Sequence, residues 1–191
     1  MKFLKKQVDS EITRENLSYN NRGHRDRIRE VLKTEQLGFC AYSERFFMKT
    51  DTVDIEHFDP RIKNTEEDSY LNWYATLDWM NSHKRKNIEP FIPILLPYSE
   101  NLTEQIKYAG GIFYEVNAGD TEAKNLINFL GVNKYEVVED RKNHMDFIRD
   151  LKSTMNDEDF FETLRTHKKC LSYASALEVE LGINIFELLE L

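Results

Sequence analysis

Residues 54–87, DIEHFDPRIKNTEEDSYLNWYATLDWMNSHKRKN, decide the fold. The first few positions alternate between polar and apolar side chains, which is the pattern of a half-buried strand. Positions 59–68 are polar and irregular, which predicts a loop. Apolar side chains return at 70–74, and we expect them to begin a helix that includes Leu77 and Met80. The stretch therefore predicts a strand, a loop and a helix in that order.

An aromatic, β-favouring segment at 39–49 and a turn at Thr50-Asp51 precede this stretch, so we predict that the segment pairs with the strand as a hairpin. Further upstream, apolar residues at helical spacing predict a helix that ends near Gly38. Downstream, prolines punctuate the apolar segment 91–96, which excludes a central strand and a regular helix there. This segment is interpreted as a connector that packs on the core.

The rest of the chain predicts a second hairpin and several helices. Residues 105–116 favour two short strands around Gly110-Gly111, and helical patterns end at Gly131 and cover about 134–152 and 157–181. We therefore predict a single α+β domain. Its parts are an N-terminal helical segment (1–38), a small core of hairpin, loop and helix (39–90), and a connector, short hairpin and C-terminal helices packed on that core (91–191).

Length and composition are typical of one folded, helix-rich domain. The chain has 191 residues, of which 40% are apolar and 31% are charged. No segment approaches the ~18 apolar residues of a membrane span, and the charged start lacks an apolar signal core, so we expect a cytoplasmic protein without a membrane partner. Cys40 and Cys170 are far apart in sequence, which favours packed thiols in a reducing compartment over a disulfide.

The net charge of −8 argues against a nucleic-acid partner until its distribution is considered. Residues 1–90 hold 16 basic and 16 acidic side chains, whereas residues 91–191 hold 10 and 18, so the negative charge lies in the second half. Two basic clusters in the neutral half could face phosphate or form an ordinary solvated helix face. They consist of Arg22, Arg25, Arg27, Arg29 and Lys33, and of Lys84, Arg85 and Lys86.

Four polar residues in the 54–87 stretch supply the residue types that phosphodiester hydrolysis needs. The imidazole of His57 can take a proton from water. A hard divalent ion, held by oxygens such as those of Glu56 and Asn81, can stabilise the charge that develops on the phosphate. Nine residues make two and a half helical turns, so Asn72 and Asn81 need not share a face if both are helical. The objection no longer holds if Asn72 lies in the loop before the helix.

In order and spacing these residues resemble the HNH endonuclease family, in which an acid-His pair ends a strand, an Asn lies in the loop, and a His or Asn follows nine residues later on a helix. The resemblance implies a ββα-metal core that cleaves DNA with Mg²⁺ or Mn²⁺. It implies that His57 is the general base and that Asn72 orients it through the loop backbone. Glu56 and Asn81 are then the metal ligands.

Two further assignments concern the predicted helix. The family pattern often continues with two residues and a Lys, so the resemblance implies that Lys84 and its neighbour Arg85 bind phosphate. His83 lies two residues from Asn81 and remains an alternative metal ligand. His24, His144 and His167 stand in ordinary helical surroundings, where a structural role is expected.

The wider match is to a subgroup of this family that carries a Cys-x-x-Cys before the acid-His pair and a second one before the helix Asn. This chain reads FCAYSE at 39–44 and LDWMN at 77–81, so three of the four cysteine positions are Ser43, Leu77 and Met80. A structural zinc site of this kind needs four thiolates, and Cys40 alone cannot hold the ion. We therefore expect no structural zinc, with Leu77 and Met80 packed in its place.

The subgroup is similar to the nuclease subunit of the Septu anti-phage system and to retron-associated nucleases, which implies an effector that works with an ATPase partner. Two alternatives stay open. One is a weak or inactive HNH-like binding subunit that assembles with the ATPase, and the other is an RNA-cleaving toxin, since these residues meet a phosphodiester and not a base. The intact set Glu56, His57, Asn72 and Asn81 favours an enzyme. The oligomeric state stays open as well.

Overall fold

Two antiparallel strands form the centre of the computed structural model, which describes residues 1–189. Strand β1, Val53–His57, pairs with strand β2, Trp73–Leu77, with Glu56 opposite Tyr74 and His57 opposite Trp73. Helix α3, Asp78–His83, follows β2 directly and packs on both strands. The fold class is confirmed as α+β.

The pairing of the strands differs from the predicted one. Segment 39–49 is not a strand, because a single bridge joins Phe39 to Phe46 and the chain turns back between them. The predicted helix start at 70–74 is instead a short 3-10 turn followed by β2. All five residues of β2 are buried, so the strand shows a continuous apolar run that a buried helix segment would also show. The observed order is strand, loop, strand, helix.

The helices surround this unit and the second hairpin. Strands β3 and β4, Ile106–Ala109 and Ile112–Glu115, meet at Gly110-Gly111 and confirm that hairpin. The predicted helix over 157–181 is interrupted, since it ends at Thr166 and resumes at Ala174. The helices besides α3 are α1 (Glu11–Arg14), α2 (Arg25–Glu35), α4 (Leu102–Gln105), α5 (Thr121–Leu130), α6 (Tyr135–Ser153), α7 (Asp157–Thr166), α8 (Ala174–Leu181) and α9 (Ile185–Leu188).

Gly131 ends α5 in the left-handed conformation, as predicted, with φ +70°. A Cβ at this position would lie 2.7 Å from the carbonyl oxygen of His83, so glycine also permits the close approach of α5 to the end of α3. The backbone N–H of Arg85 donates to the carbonyl of Phe129 at the same contact, at 2.9 Å. The end of α3 is thereby fixed against α5.

The apolar side chains form two clusters. The first joins α2, β1, β2 and α5, and the second joins the C-terminal helices to the N-terminal segment, where Phe3 stacks on Phe39 with ring centres 4.5 Å apart. The N-terminal segment is therefore part of the core of the described chain. Among residues 1–189, no helix has both the length and the apolar content needed to cross a bilayer.

Candidate active site

Asn72 fixes the chain that follows His57. Its Oδ1 accepts a hydrogen bond from the backbone N–H of Asp59 at 2.7 Å, and its Nδ2 donates to the carbonyl oxygen of Asp59 at 3.1 Å. Its own carbonyl oxygen accepts from the N–H of Phe58 at 2.8 Å. Asn72 lies in the 3-10 turn before β2, so it need not share a helix face with Asn81. These contacts hold the two residues that follow His57.

Asp68 is a buried carboxylate that touches three residues of the site. Its Oδ1 accepts from Asn72 Nδ2 at 3.1 Å and from Trp73 Nε1 at 2.6 Å. Its Oδ2 lies 3.1 Å from His57 Nε2. This last contact is close but poorly aligned, so Nε2 is left without a regular hydrogen bond within residues 1–189. Asp68 thus acts on the imidazole chiefly through its charge.

The imidazole of His57 is almost fully enclosed, with 3% of the residue exposed. Burial lowers the pKa of His57 to about 4, although the charge of Asp68 acts in the opposite direction. The ring is therefore neutral at neutral pH, which is the state that a general base needs. Tyr19 packs against it edge-on, with ring centres 4.4 Å apart.

The opposite face of β1 carries two carboxylates toward α3. Residues two apart on a strand share a face, so Asp54 and Glu56 point the same way and His57 points to the other side. Asn81 Nδ2 donates to Asp54 Oδ2 at 2.9 Å, and Lys84 Nζ lies 2.7 Å from Glu56 Oε1. Burial raises the pKa of Glu56, and Lys84 opposes that shift.

These groups fit a hard divalent ion. Asp54 and Glu56 offer carboxylate oxygens, and Asn81 lies beside them, since its Nδ2 donates to Asp54 Oδ2; its amide oxygen is of the type that such an ion binds. The hydroxyls of Tyr74 and Thr76, which stand opposite Glu56 and Asp54 in the register, are buried without a hydrogen-bond partner in the described chain. Among residues 1–189 no three His, Cys, Asp or Glu side chains gather as a metal site, so an ion here would depend on the amide of Asn81.

The remaining predicted residues of the helix end up in different surroundings. The side chain of Lys84 is 4% exposed and its Nζ lies 4.5 Å from the ring centre of Phe129, so the amine faces Glu56 rather than solvent. Arg85 is exposed. His83 contacts the carbonyl of Trp79 at 2.7 Å and lies 3.8 Å from Glu136 of α6, so the structure directs it away from the two carboxylates of β1.

The four positions that the resemblance assigns to cysteines are all buried in the core. Cys40, Ser43, Leu77 and Met80 are each no more than 1% exposed, and Cys40 Sγ accepts a hydrogen bond from the N–H of Leu77 at 3.4 Å. Burial raises the pKa of the Cys40 thiol. Leu77 and Met80 are packed as predicted, and Cys40 is a packed thiol.

Most of the first basic cluster forms ion pairs with neighbouring acids. Three of its members are engaged by neighbouring acids: Arg27 by Glu11 and Glu15, Arg29 by Asp26, and Lys33 by Glu30. Arg25 instead lies over the ring of Tyr19, 4.2 Å from its centre, and Lys63 lies 5.4 Å from the same ring. Tyr19 packs on His57, so the two cations lie one ring away from the imidazole.

Asp54 and Asp68 were not predicted from the sequence as residues of the site. Asp54 could have been predicted, because it is two residues before Glu56 on a predicted strand and therefore shares its face. Asp68 could not, since it is one of several acids in a polar loop. Comparison of the chain with protein-family models, with curated proteins and with solved structures gave no significant match.

Proposed function

We propose that this chain is a metal-dependent HNH-type endonuclease that hydrolyses phosphodiester bonds in DNA, with His57 as the general base. The observation that carries the proposal is the placement of His57. It ends β1, Asn72 holds the next residues through Asp59, and the other face of the same strand presents Glu56 toward α3. Base and candidate metal ligands are thus adjacent in sequence and lie on opposite faces of one strand.

The proposed chemistry follows from the protonation state of the imidazole. The ring is neutral, and the carboxylate of Asp68 next to Nε2 favours the tautomer with the proton on that nitrogen. Nδ1 is then the atom that accepts a proton from the attacking water. A bound Mg²⁺ or Mn²⁺ would stabilise the charge on the phosphate and on the leaving oxygen. Glu56 and Asn81, with Asp54 beside them, would hold that ion.

Arg25 and Lys63 are proposed to receive the phosphate backbone. Both lie over Tyr19, which covers His57, and neither has a carboxylate within ion-pair distance among residues 1–189. Cations free of acidic partners are the ones that can release counterions on binding nucleic acid. Contacts of this kind position the nucleic-acid strand without recognising its base sequence.

Two features of the site favour the rival function, which is an HNH-like subunit that assembles with an ATPase and does not cut nucleic acid. Lys84 already neutralises Glu56, and only 3% of His57 is exposed. Both features mean that the carboxylate and the imidazole are shielded from solvent, as they would also be in a non-catalytic subunit. The leading proposal also allows a shielded site that opens when a partner or DNA binds. The enzyme and the assembly subunit must therefore be separated by measurement.

The test is cleavage of supercoiled plasmid with Mg²⁺ or Mn²⁺ by the wild type, by His57→Ala and by His167→Ala, which removes an exposed imidazole far along the chain. We expect metal-dependent nicking that His57→Ala abolishes and His167→Ala preserves. A parallel assay on single-stranded RNA separates the DNA enzyme from a toxin. Each assay is repeated with any ATPase that is encoded beside this chain. Equal background in all three proteins under every condition would leave the assembly subunit as the function.

A further inference from the structure

A cavity of about 900 Å³ lies between the N-terminal segment 1–8, the turn 69–71 and the segment 97–103. Its lining is mostly apolar, and the side chains that provide it include Val8, Leu71, Pro97, Tyr98, Leu102 and Phe186. Volumes of this size are typical of sites for small organic molecules. The proposed cleavage chemistry uses none of these side chains.

Lys6 lines this cavity, and its ammonium is enclosed although the residue as a whole is partly exposed. Its Nζ lies 3.7 Å from the ring centre of Tyr74 and 4.5 Å from that of Tyr70, and it donates to the carbonyl oxygen of Trp73. Desolvation lowers the pKa of Lys6 to about 7. An ammonium that has only ring faces and one carbonyl for partners is held at a cost in free energy.

The charges around the cavity are unbalanced. Lys2 is paired with Glu178 at 2.5 Å, but no carboxylate among residues 1–189 lies within ion-pair distance of Lys5 or Lys6. Glu100 is the one acid that lines the cavity within the described chain. Lys5 and Lys6 therefore make no ion pair within the described residues, although Glu100 lines the cavity and the charge of Glu35 acts on Lys6.

We propose that this cavity is a binding site for an apolar small molecule with one anionic group, a carboxylate or a sulfonate, which pairs with Lys6 and Lys5. The apolar walls take the body of the molecule, and the buried ammonium of Lys6 takes its charge. A salt bridge made in such desolvated surroundings is selective, because a neutral analogue leaves the ammonium unpaired. This inference is independent of the proposed cleavage of DNA.

The probe is 8-anilinonaphthalene-1-sulfonate, compared with N-phenyl-1-naphthylamine, which has the same rings without the sulfonate. Fluorescence titrations use the full chain as wild type, Lys6→Met and Lys124→Met, where Lys124 is an exposed lysine of α5. We expect saturable binding of the sulfonate by the wild type, at least tenfold weaker binding by Lys6→Met, and no change in Lys124→Met. Affinity for the neutral analogue should be equal in all three.

A further variant tests the place of binding. Thr103 is an exposed residue at the rim of the cavity, and Thr103→Trp should weaken both probes because it fills the entrance. Near-UV circular dichroism of each variant verifies that the fold is retained. Sulfonate binding that is unsaturable, that matches the neutral analogue, or that survives Lys6→Met unchanged in a folded protein would overturn the proposal.

Discussion

Asp68 Oδ2 lies 3.1 Å from His57 Nε2, and the two side chains are 2% and 3% exposed. A carboxylate at this distance favours one tautomer of the ring and stabilises the imidazolium that forms once a proton has been taken. The same carboxylate binds the side chains of Asn72 and Trp73. Asp68 therefore links His57, the proposed base, to Asn72, which holds the following loop, and we propose that it positions the imidazole.

Asp68→Asn is expected to slow metal-dependent nicking by roughly 10- to 100-fold, the range found for groups that orient catalytic ligands. The amide keeps the size of the side chain but loses the charge beside Nε2. Glu67→Gln, in the exposed part of the same loop, is the matched control. A wild-type nicking rate in Asp68→Asn would remove Asp68 from the mechanism.

Lys84 and Glu56 form a buried ion pair at 2.7 Å, and a divalent ion would compete with Lys84 for the carboxylate. Lys84→Met leaves Glu56 buried without a counter-charge, which is expected to lower the free energy of unfolding by about 3 kcal/mol. Mg²⁺ then replaces the missing charge, so its addition should raise the melting temperature of Lys84→Met more than that of the wild type.

Lys86→Met is the control for that comparison, since Lys86 is exposed two residues away. Thermal melts with and without millimolar Mg²⁺ give both quantities. If Mg²⁺ shifts the melting temperatures of Lys84→Met and the wild type equally, Glu56 is not a ligand. That outcome would also weaken the assignment of Asn81 and Asp54.

The sequence predicted the α+β class and the second hairpin, but it predicted the wrong partner for β1. Residues 73–77 are buried on both faces, so their pattern carries no period of two, and a buried strand and a buried helix segment look alike in sequence. The aromatic segment 39–49 gave a strand-like pattern for a different reason. Phe39 and Phe47 are buried around a tight turn rather than along a strand.

The spacing of residues in the sequence predicted the neighbours of the candidate site better than it predicted the pairing of the strands. The pattern of Glu56, His57 and Asn72 depends on a few adjacent elements, and the structure brings Asn72 to the chain after His57. Asp68 and the pairing of Lys84 with Glu56 depend on long-range packing, which one sequence does not reveal. The contact between α5 and the end of α3, which places Lys84 beside Phe129, is an example.

The core around Cys40 is expected to hold without zinc. Leu77 and Met80 stand at two of the four positions that the resemblance assigns to cysteines and are buried, so we expect their apolar contacts to supply the stability that a metal would otherwise give. Prolonged EDTA treatment in Mg²⁺-free buffer should leave the free energy of unfolding unchanged, whereas Leu77→Ala should lower it by about 2–5 kcal/mol. Urea denaturation measures both. A loss of stability in EDTA that zinc alone restores would contradict the expectation.

Lys6 should make stability depend on pH between about 7 and 10. Burial lowers the pKa of Lys6 from 10.5 in the unfolded chain to about 7 in the fold. Below pH 7 both states carry the proton, so the fold bears the full cost of the buried charge. As the pH rises above 7 the folded state loses the proton first, and the free energy of unfolding increases until the unfolded chain also loses it. The groups around Lys6 are Glu35, which opposes the shift, and the rings of Tyr70 and Tyr74, whose pKa values are raised out of this range.

Lys6→Met removes the charge and keeps most of the side-chain volume. It should be more stable than the wild type at pH 6 by an amount on the order of a few kcal/mol, and the advantage should shrink toward pH 10. Urea denaturation of both proteins between pH 6 and 10 measures the difference between their free energies of unfolding. The contributions of the other titrating groups are the same in both proteins and cancel in that difference. Lys124→Met should follow the wild-type curve. Parallel curves for Lys6→Met and the wild type would show that Lys6 keeps its ordinary pKa in the fold and that its ammonium is solvated.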